Sequence, residues 1–284
     1  MGKHLPMIII PILLILGLGL LFYPDISSWH NARIQRGLTQ AFDEEVATLS
    51  QEYIDDHFYR ARAYNNTLNG LTITDPFIVG SGAIIPPARY METLNIGGMM
   101  ARIAIPIIDV DLPVFHTTNM DILDRGVGHI EGTSFPVGGL GSHAVLTGHS
   151  GLAHARMFTD LEAVSIGDLF FITVLNYTMA YEIDQIITVL PHEIDSLRID
   201  GTADFVTLVT CTPYAINSHR LLVRGARVPY QQGMDTYIES ILETIAPGTD
   251  FRLVAIVAMG VLFLLVVVAY EVTYRKRKAQ RSPL

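Results

Sequence analysis

Apolar and polar positions change texture several times along the chain. Residues 7–23 (MIIIPILLILGLGLLFY) form an uncharged apolar run preceded by Lys3, at the short end of the roughly 17–25 residues that cross a bilayer as a helix. From 31 to 65, Leu38, Phe42, Val46, Leu49, Tyr53 and Phe58 recur at steps of three to five with charges between them. That spacing predicts an amphipathic helix, with the acidic cluster at 43–45 on its solvated face. Residues 66–90 lose the period and are rich in glycine and proline, including Gly80, Gly82, Pro86 and Pro87. A stretch of that kind reads as a long loop, either a lid or a linker.

From Met99 onward the pattern is one of short β-type runs separated by turn residues: 101–115, 143–149, 168–175, 179–190, 204–211 and 219–228. Their β-branched and aromatic residues at partial period two, at these spacings, predict a barrel or a sandwich. A short amphipathic helix is expected near 234–245. It leads into a second uncharged apolar run, 253–270, followed by Arg275, Lys276, Arg277, Lys278 and Arg281. Basic residues flanking a membrane segment mark its cytoplasmic side, so both termini are expected inside and residues 24–250 outside. The residues after the first run, Pro24 to Trp29, offer no small-x-small cleavage site, which favours an uncleaved anchor over a cleaved signal peptide.

Charge sharpens the picture. The 284 residues carry 19 basic and 28 acidic side chains, net −9. Residues 24–250 hold 12 arginines, no lysine and 27 acidic residues, a balance of −15. Such a surface has no electrostatic footprint for DNA or RNA, which excludes nucleic-acid binding. The lack of lysine between Lys3 and Lys276 follows either from an arginine-favouring genome or from an enzyme that handles lysine amines and must not modify itself.

The single cysteine, Cys211, ends an apolar strand pattern, Thr207-Leu208-Val209-Thr210-Cys211. A lone cysteine is commonly a small core residue, yet an unpaired extracellular thiol is an oxidation liability that calls for a reason. A thiolate needs a base or cation beside it. His149 lies in Thr147-Gly148-His149-Ser150-Gly151 at the exit of the HAVLT run, between glycines that suggest a tight turn. Arg220 opens the strand pattern after Cys211, so a hairpin can bring it beside the thiol. Nucleophile, proton donor and fixed positive charge together suit acyl transfer. The competing metal reading fails on spacing: His143, His149, His154 and His192-Glu193 form no HExxH-type face, and there is no second cysteine for a structural zinc site. No metal and no cofactor is called for.

Three blocks, TLVTC at 207–211, TGHSG at 147–151 and the arginine of NSHRLLVRG at 217–225, resemble the active-site blocks of sortases, the membrane-anchored cysteine transpeptidases of Gram-positive bacteria. The extended HRLLVRG match, the long loop before the barrel and the second apolar run resemble class C, the pilin-polymerising sortases. The resemblance implies a mainly β fold, an eight-stranded barrel with flanking helices, plus N- and C-terminal transmembrane helices. It divides the chain into a cytoplasmic start (1–6), a signal anchor (7–23), a helical region (24–65), a lid loop (66–90), the catalytic barrel (91–232), a helix and linker (233–250), a second span (251–271) and a basic cytoplasmic tail (272–284).

By the same resemblance Cys211 attacks the Thr–Gly carbonyl of a Leu-Pro-x-Thr-Gly-like motif, His149 is the general acid and base, and Arg220 stabilises the oxyanion or holds the substrate backbone. The acceptor is a lysine amine of another pilin subunit. Asp75-Pro76-Phe77 looks like the Asp-Pro-aromatic element of the class C lid, with Asp75 pairing with Arg220 and Phe77 covering Cys211; family members often have Trp at this last position. The implied partners are pilin subunits and the lipid bilayer. A housekeeping sortase is the alternative within enzymes. A wall-anchored surface protein is the alternative outside them, and it fails because Ala246-Pro247-Gly248-Thr249-Asp250 stands where a sorting motif would be.

Overall fold

The run at 101–115 folds back on itself. Ala101–Ile105 (β1) and Val110–His116 (β2) are antiparallel, joined by a 3-10 turn over Pro106–Ile108 that ends on Asp109 at φ 54°. Six more strands follow: Val127–His129 (β3), Ser142–Thr147 (β4), Leu169–Val174 (β5), Tyr177–Val189 (β6), Asp204–Thr212 (β7) and His219–Val228 (β8). They close into a barrel in the order β1-β2-β3-β4-β7-β8-β6-β5. The mainly β, eight-stranded expectation holds. This computed structural model describes residues 5–68, 77, 88–193, 195–199, 201–231 and 234, and single positions between 257 and 272.

Two parallel pairings, β2 with β3 and β4 with β7, interrupt an otherwise antiparallel barrel. β4 is buried at every position, as a strand flanked on both sides and covered on both faces must be. The core gathers Ile103, Val114, Phe170, Ile172, Tyr181, Val206, Leu208 and Val223 from six strands. β6, the longest strand, absorbs its curvature in a register shift between Ile183 and Gln185. At Gly225, opposite Ile183 in β8, an added Cβ would lie 2.4 Å from Cε1 of Phe170. That strand can cross the ring only without a side chain.

The helical stretch expected over 31–65 is two helices. The first, α1, runs from Leu5 to Ala47, and the second, α2, spans Gln51–Asn65. The break falls where Ser50 caps α2, its hydroxyl accepting from the Tyr53 N–H at 3.2 Å. Phe42 and Val46 of α1 and Ile54 and Ala61 of α2 join the barrel core. Arg102 of β1 clamps Asp111 with two bonds, 2.6 and 3.0 Å, and reaches Asp43 of α1 at 2.8 Å. At the far end of α2, the Asn65 amide donates to the Phe135 carbonyl and accepts from its N–H. Two short helices, Ala88–Glu92 (α3) and Met120–Leu123 (α4), flank the start of the barrel.

Among the described residues, no helix is long and apolar enough to cross a membrane. Side chains at 7–12, 14, 15 and 18 fall outside the description, as do most of the expected lid loop, the expected helix at 234–245 and most of the second apolar run.

Candidate active site

The ladders themselves assemble the site. In the β7–β8 pairing Cys211 stands directly opposite Arg220, and Thr212 opposite His219. The hairpin expected from sequence is therefore present, in the register that makes thiol and guanidinium cross-strand neighbours. β4 runs parallel to β7 with Thr147 level with Val209, so the residues that leave β4 emerge beside the end of β7. His149 is the second of them.

The exit of β4 is pinned. The Gly148 N–H and the Thr147 hydroxyl both donate to the Val209 carbonyl, at 3.1 and 3.2 Å, and the Thr210 hydroxyl donates to the Gly148 carbonyl at 2.8 Å. Gly148 is required by close approach, because a Cβ there would lie 2.9 Å from the Phe158 ring. Gly151 turns the chain at φ +77°. The loop then returns, and the Phe158 N–H donates to the His149 carbonyl at 3.0 Å. These bonds give Thr210 a share in holding the histidine's backbone.

Cys211 and Arg220 are both buried, and the His149 side chain is 13% exposed. Burial pushes the imidazole below its usual pKa; the Asp124 carboxylate, whose Oδ1 is 4.0 Å from Nε2, works against that, and His154 adds to it. Arg220 Nη1 donates to the carbonyls of Asn217 at 3.1 Å and His219 at 3.0 Å. Asn217, at φ 58°, belongs to the tight connection 213–218 between the strands. The Thr212 hydroxyl donates to Glu162, on the 3-10 turn Thr159–Ala163.

Phe77 lies against part of this constellation. Its ring centroid is 5.4 Å from that of the His149 imidazole, and the Arg220 guanidinium lies 5.2 Å from its centre. One aromatic ring thus lies against two of the three site residues. Asp75 and Pro76 lie outside the described residues. His143, adjacent to the site in sequence, faces elsewhere: its ring nitrogens bond to the Arg198 carbonyl and the Thr207 hydroxyl. Among the described residues, no group of three or more His, Cys, Asp or Glu is placed to hold a metal ion.

Comparison with known proteins fits this arrangement. Residues 103–228 match the Sortase domain family. Sortase C-1 from Streptococcus pneumoniae is 44% identical over 68% of this chain and 98% of its own, with a TM-score of 0.65. The chain belongs to the class C sortases. Sortase C1 of pilus island 1 of group B Streptococcus is 40% identical over 70% and 94% of the two chains, TM-score 0.65. Sortase C-1 from Actinomyces oris is 46% identical over 62% and 99%, TM-score 0.58. The comparison with curated proteins returns no match. This sortase is accordingly a cysteine transpeptidase.

Sequence reasoning missed Asp124, Glu162 and Phe158, which reach the site of this sortase from two segments, the end of α4 and the stretch 158–163. None carries a local signal. An Asp closing a four-residue helix looks like any helix end, and the contacts form only when the barrel closes.

Proposed function

We propose that this class C sortase polymerises pilin subunits, with Cys211 as nucleophile, His149 as general acid and base, and Arg220 as the charge that steadies the oxyanion. The observation that carries the reading is the register pairing of Cys211 with Arg220 beside the strand exit that holds His149. The Cys211 thiolate attacks the Thr carbonyl carbon of a Leu-Pro-x-Thr-Gly-like motif. The C–N bond to Gly breaks, the departing amine takes its proton from His149, and a thioester remains on sulfur. A lysine amine of a second pilin then attacks the thioester and gives a proton to His149; the isopeptide bond forms and the thiolate is restored. Arg220 donates to the oxyanion of both tetrahedral intermediates.

The lid reading follows from Phe77. An aromatic ring against imidazole and guanidinium excludes a substrate backbone from the space between them, so Asp75-Pro76-Phe77 acts as a gate, with Asp75 pairing Arg220 when it is shut. Anchoring through residues 7–23 and 251–271, with the barrel outside and both ends inside, is supported by the large apolar side chains these stretches turn outward: Leu13, Leu16, Leu20 and Leu21 near one end, Val257, Val261 and Val268 near the other. The intervening divisions are a helical region at 24–65, a lid loop at 66–90, the catalytic barrel at 91–232 and a linker at 233–250.

The test uses the full chain in detergent with a Leu-Pro-x-Thr-Gly peptide and intact-mass detection, run beside an Asp75→Ala, Phe77→Ala variant. The expected result is an adduct of the cleaved acyl fragment on Cys211, stronger in the variant and absent in Cys211→Ala. An adduct that survives Cys211→Ala refutes the nucleophile assignment. In cells, the chain should stay in the membrane pellet after alkaline carbonate extraction; release to the supernatant refutes the two-span anchor.

A further inference from the structure

The acid–base role of His149 leaves one of its ring nitrogens to be explained. Nε2 is buried and, among the described residues, has no hydrogen-bond partner. The Asp124 carboxylate faces it, with Oδ1 at 4.0 Å. Asp124 closes α4 through its backbone, its N–H bonding to the Met120 carbonyl at 2.9 Å. Its carboxylate is therefore not spent on holding the turn. Half exposed at 52%, the carboxylate keeps its own hydration while facing a ring that has lost most of its water.

We propose that Asp124 is a positioning residue for His149. Its carboxylate faces Nε2, fixes the orientation and tautomer of the ring, and offsets the positive charge the imidazole holds while Cys211 is a thiolate. Nδ1 is then the nitrogen left to exchange a proton with the leaving and entering amines. The gap of 4.0 Å is closed by a small ring rotation or by one bridging water. The inference rests on the acid–base reading of His149.

Among the described residues, the other titratable groups around the ring cannot supply this charge. His154, on the same loop, disfavours the imidazolium. Arg220 lies against the Phe77 ring that also packs on the imidazole, and it too is a cation. Cys211 is the reacting partner itself. Glu162 is engaged by the Thr212 hydroxyl. Among the described residues Asp124 is thus the carboxylate that faces Nε2, and a carboxylate at this distance in a half-solvated setting shifts a histidine by roughly half to one pH unit.

The experiment compares the full-length parent with Asp124→Asn and Asp124→Glu in detergent. In a Cys211→Ala background, where the imidazole titrates uncoupled, the His149 midpoint is read by NMR of histidine labelled at Cε1. With the cysteine present, alkylation of Cys211 by iodoacetamide is followed from pH 5 to 9, alongside acyl-adduct formation. Asp124→Asn should lower the His149 midpoint by roughly half to one unit and slow alkylation at pH 7 several-fold. At high pH, where the thiolate no longer depends on the imidazolium, the rate should be unchanged, and Asp124→Glu should restore most of the neutral-pH rate. A purely structural Asp124 would move the rate at all pH values together and leave the midpoint in place. An unmoved midpoint in Asp124→Asn, with the parent still forming its Cys211 adduct, overturns this proposal and spares the catalytic reading. A parent that forms no Cys211 adduct overturns the catalytic reading, and this proposal with it.

Discussion

Arg220 does two things with one planar group. Its Nη1 holds the Asn217 and His219 carbonyls, which shapes the connection 213–218, while the residue itself stands opposite Cys211 across the ladder. Lysine is a point charge on a flexible stem and cannot keep a fork geometry. Arg220→Lys should therefore lower the rate of thioester formation by on the order of 10²-fold, the usual cost of losing one preorganised oxyanion donor; a loss under threefold by single-turnover mass spectrometry removes the argument. Phe77 places a ring 5.4 Å from the imidazole and 5.2 Å from the guanidinium, and the proposed gate rests on that ring. Truncation in Phe77→Ala should speed alkylation of Cys211 several-fold with no change in the unfolding midpoint. Equal alkylation rates in the two proteins would mean that the ring does not gate the thiol.

At the scale of elements, the site depends on where strands end. β4 and β7 are parallel and level at Thr147 and Val209, so the exit of one and the end of the other share a rim. β8 then returns antiparallel, with Arg220 at its second position. Anything that shifts β8 against β6 and β7 moves Arg220. Gly225 is the sensitive point, since an added Cβ meets Phe170 at 2.4 and 2.7 Å and the Tyr181 Cβ at 3.0 Å. Gly225→Ala should destabilise the barrel by about 1–3 kcal/mol, the usual cost of overpacking, visible as a lower denaturant midpoint at an unchanged m-value. A midpoint equal to the parent's would show that Phe170 yields without strain. Ser50→Ala tests the helical break: loss of the cap at 3.2 Å should cost about 1 kcal/mol, read in the same titration. A midpoint unchanged in that variant would remove Ser50 as the reason for two helices.

For the whole molecule, buried histidines set the response to acid. His129 lies in the core with Nδ1 bonded to the Tyr90 hydroxyl at 2.8 Å and Nε2 to the Ser134 carbonyl at 2.8 Å, while His116 Nε2 bonds to the Thr93 carbonyl at 2.8 Å. Tyr90 and Phe135 pack against both rings. Burial lowers each imidazole from 6.5 to about 4. The native state holds them neutral where the unfolded chain charges them, so their contribution is present above pH 6.5 and is lost as pH falls toward 4. The slope is roughly 1.4 kcal/mol per pH unit for each histidine inside that window, and His57, also lowered by burial, adds in the same direction. Denaturant unfolding at pH 7 and pH 5 should show a clear loss of stability at the lower value. Equal stability at the two pH values would show that the two rings are charged in the folded protein.

How much of this was legible beforehand follows the range of the interactions. Residue texture marked the strands now seen as β4 to β8, because alternation and β-branching are local properties, and the TLVTC, TGHSG and HRLLVRG blocks pointed to Cys211, His149 and Arg220. The same texture ran β1 and β2 together, since the turn at Pro106–Ile108 is as apolar as the strands it joins. It passed over β3, three residues long, and merged α1 with α2, since the amphipathic period continues through the cap. By itself, then, the sequence determined the strand-rich domain, the apolar ends and the three chemical groups, all of them properties carried by neighbouring residues. Only the tertiary structure decided the closed strand order, the register that sets Cys211 against Arg220, the Phe77 ring over His149 and the Asp124 carboxylate facing Nε2. The hairpin that joins Cys211 to Arg220 is local and was readable from sequence, but its exact register and the contacts between distant segments are fixed by how the core packs and the barrel closes.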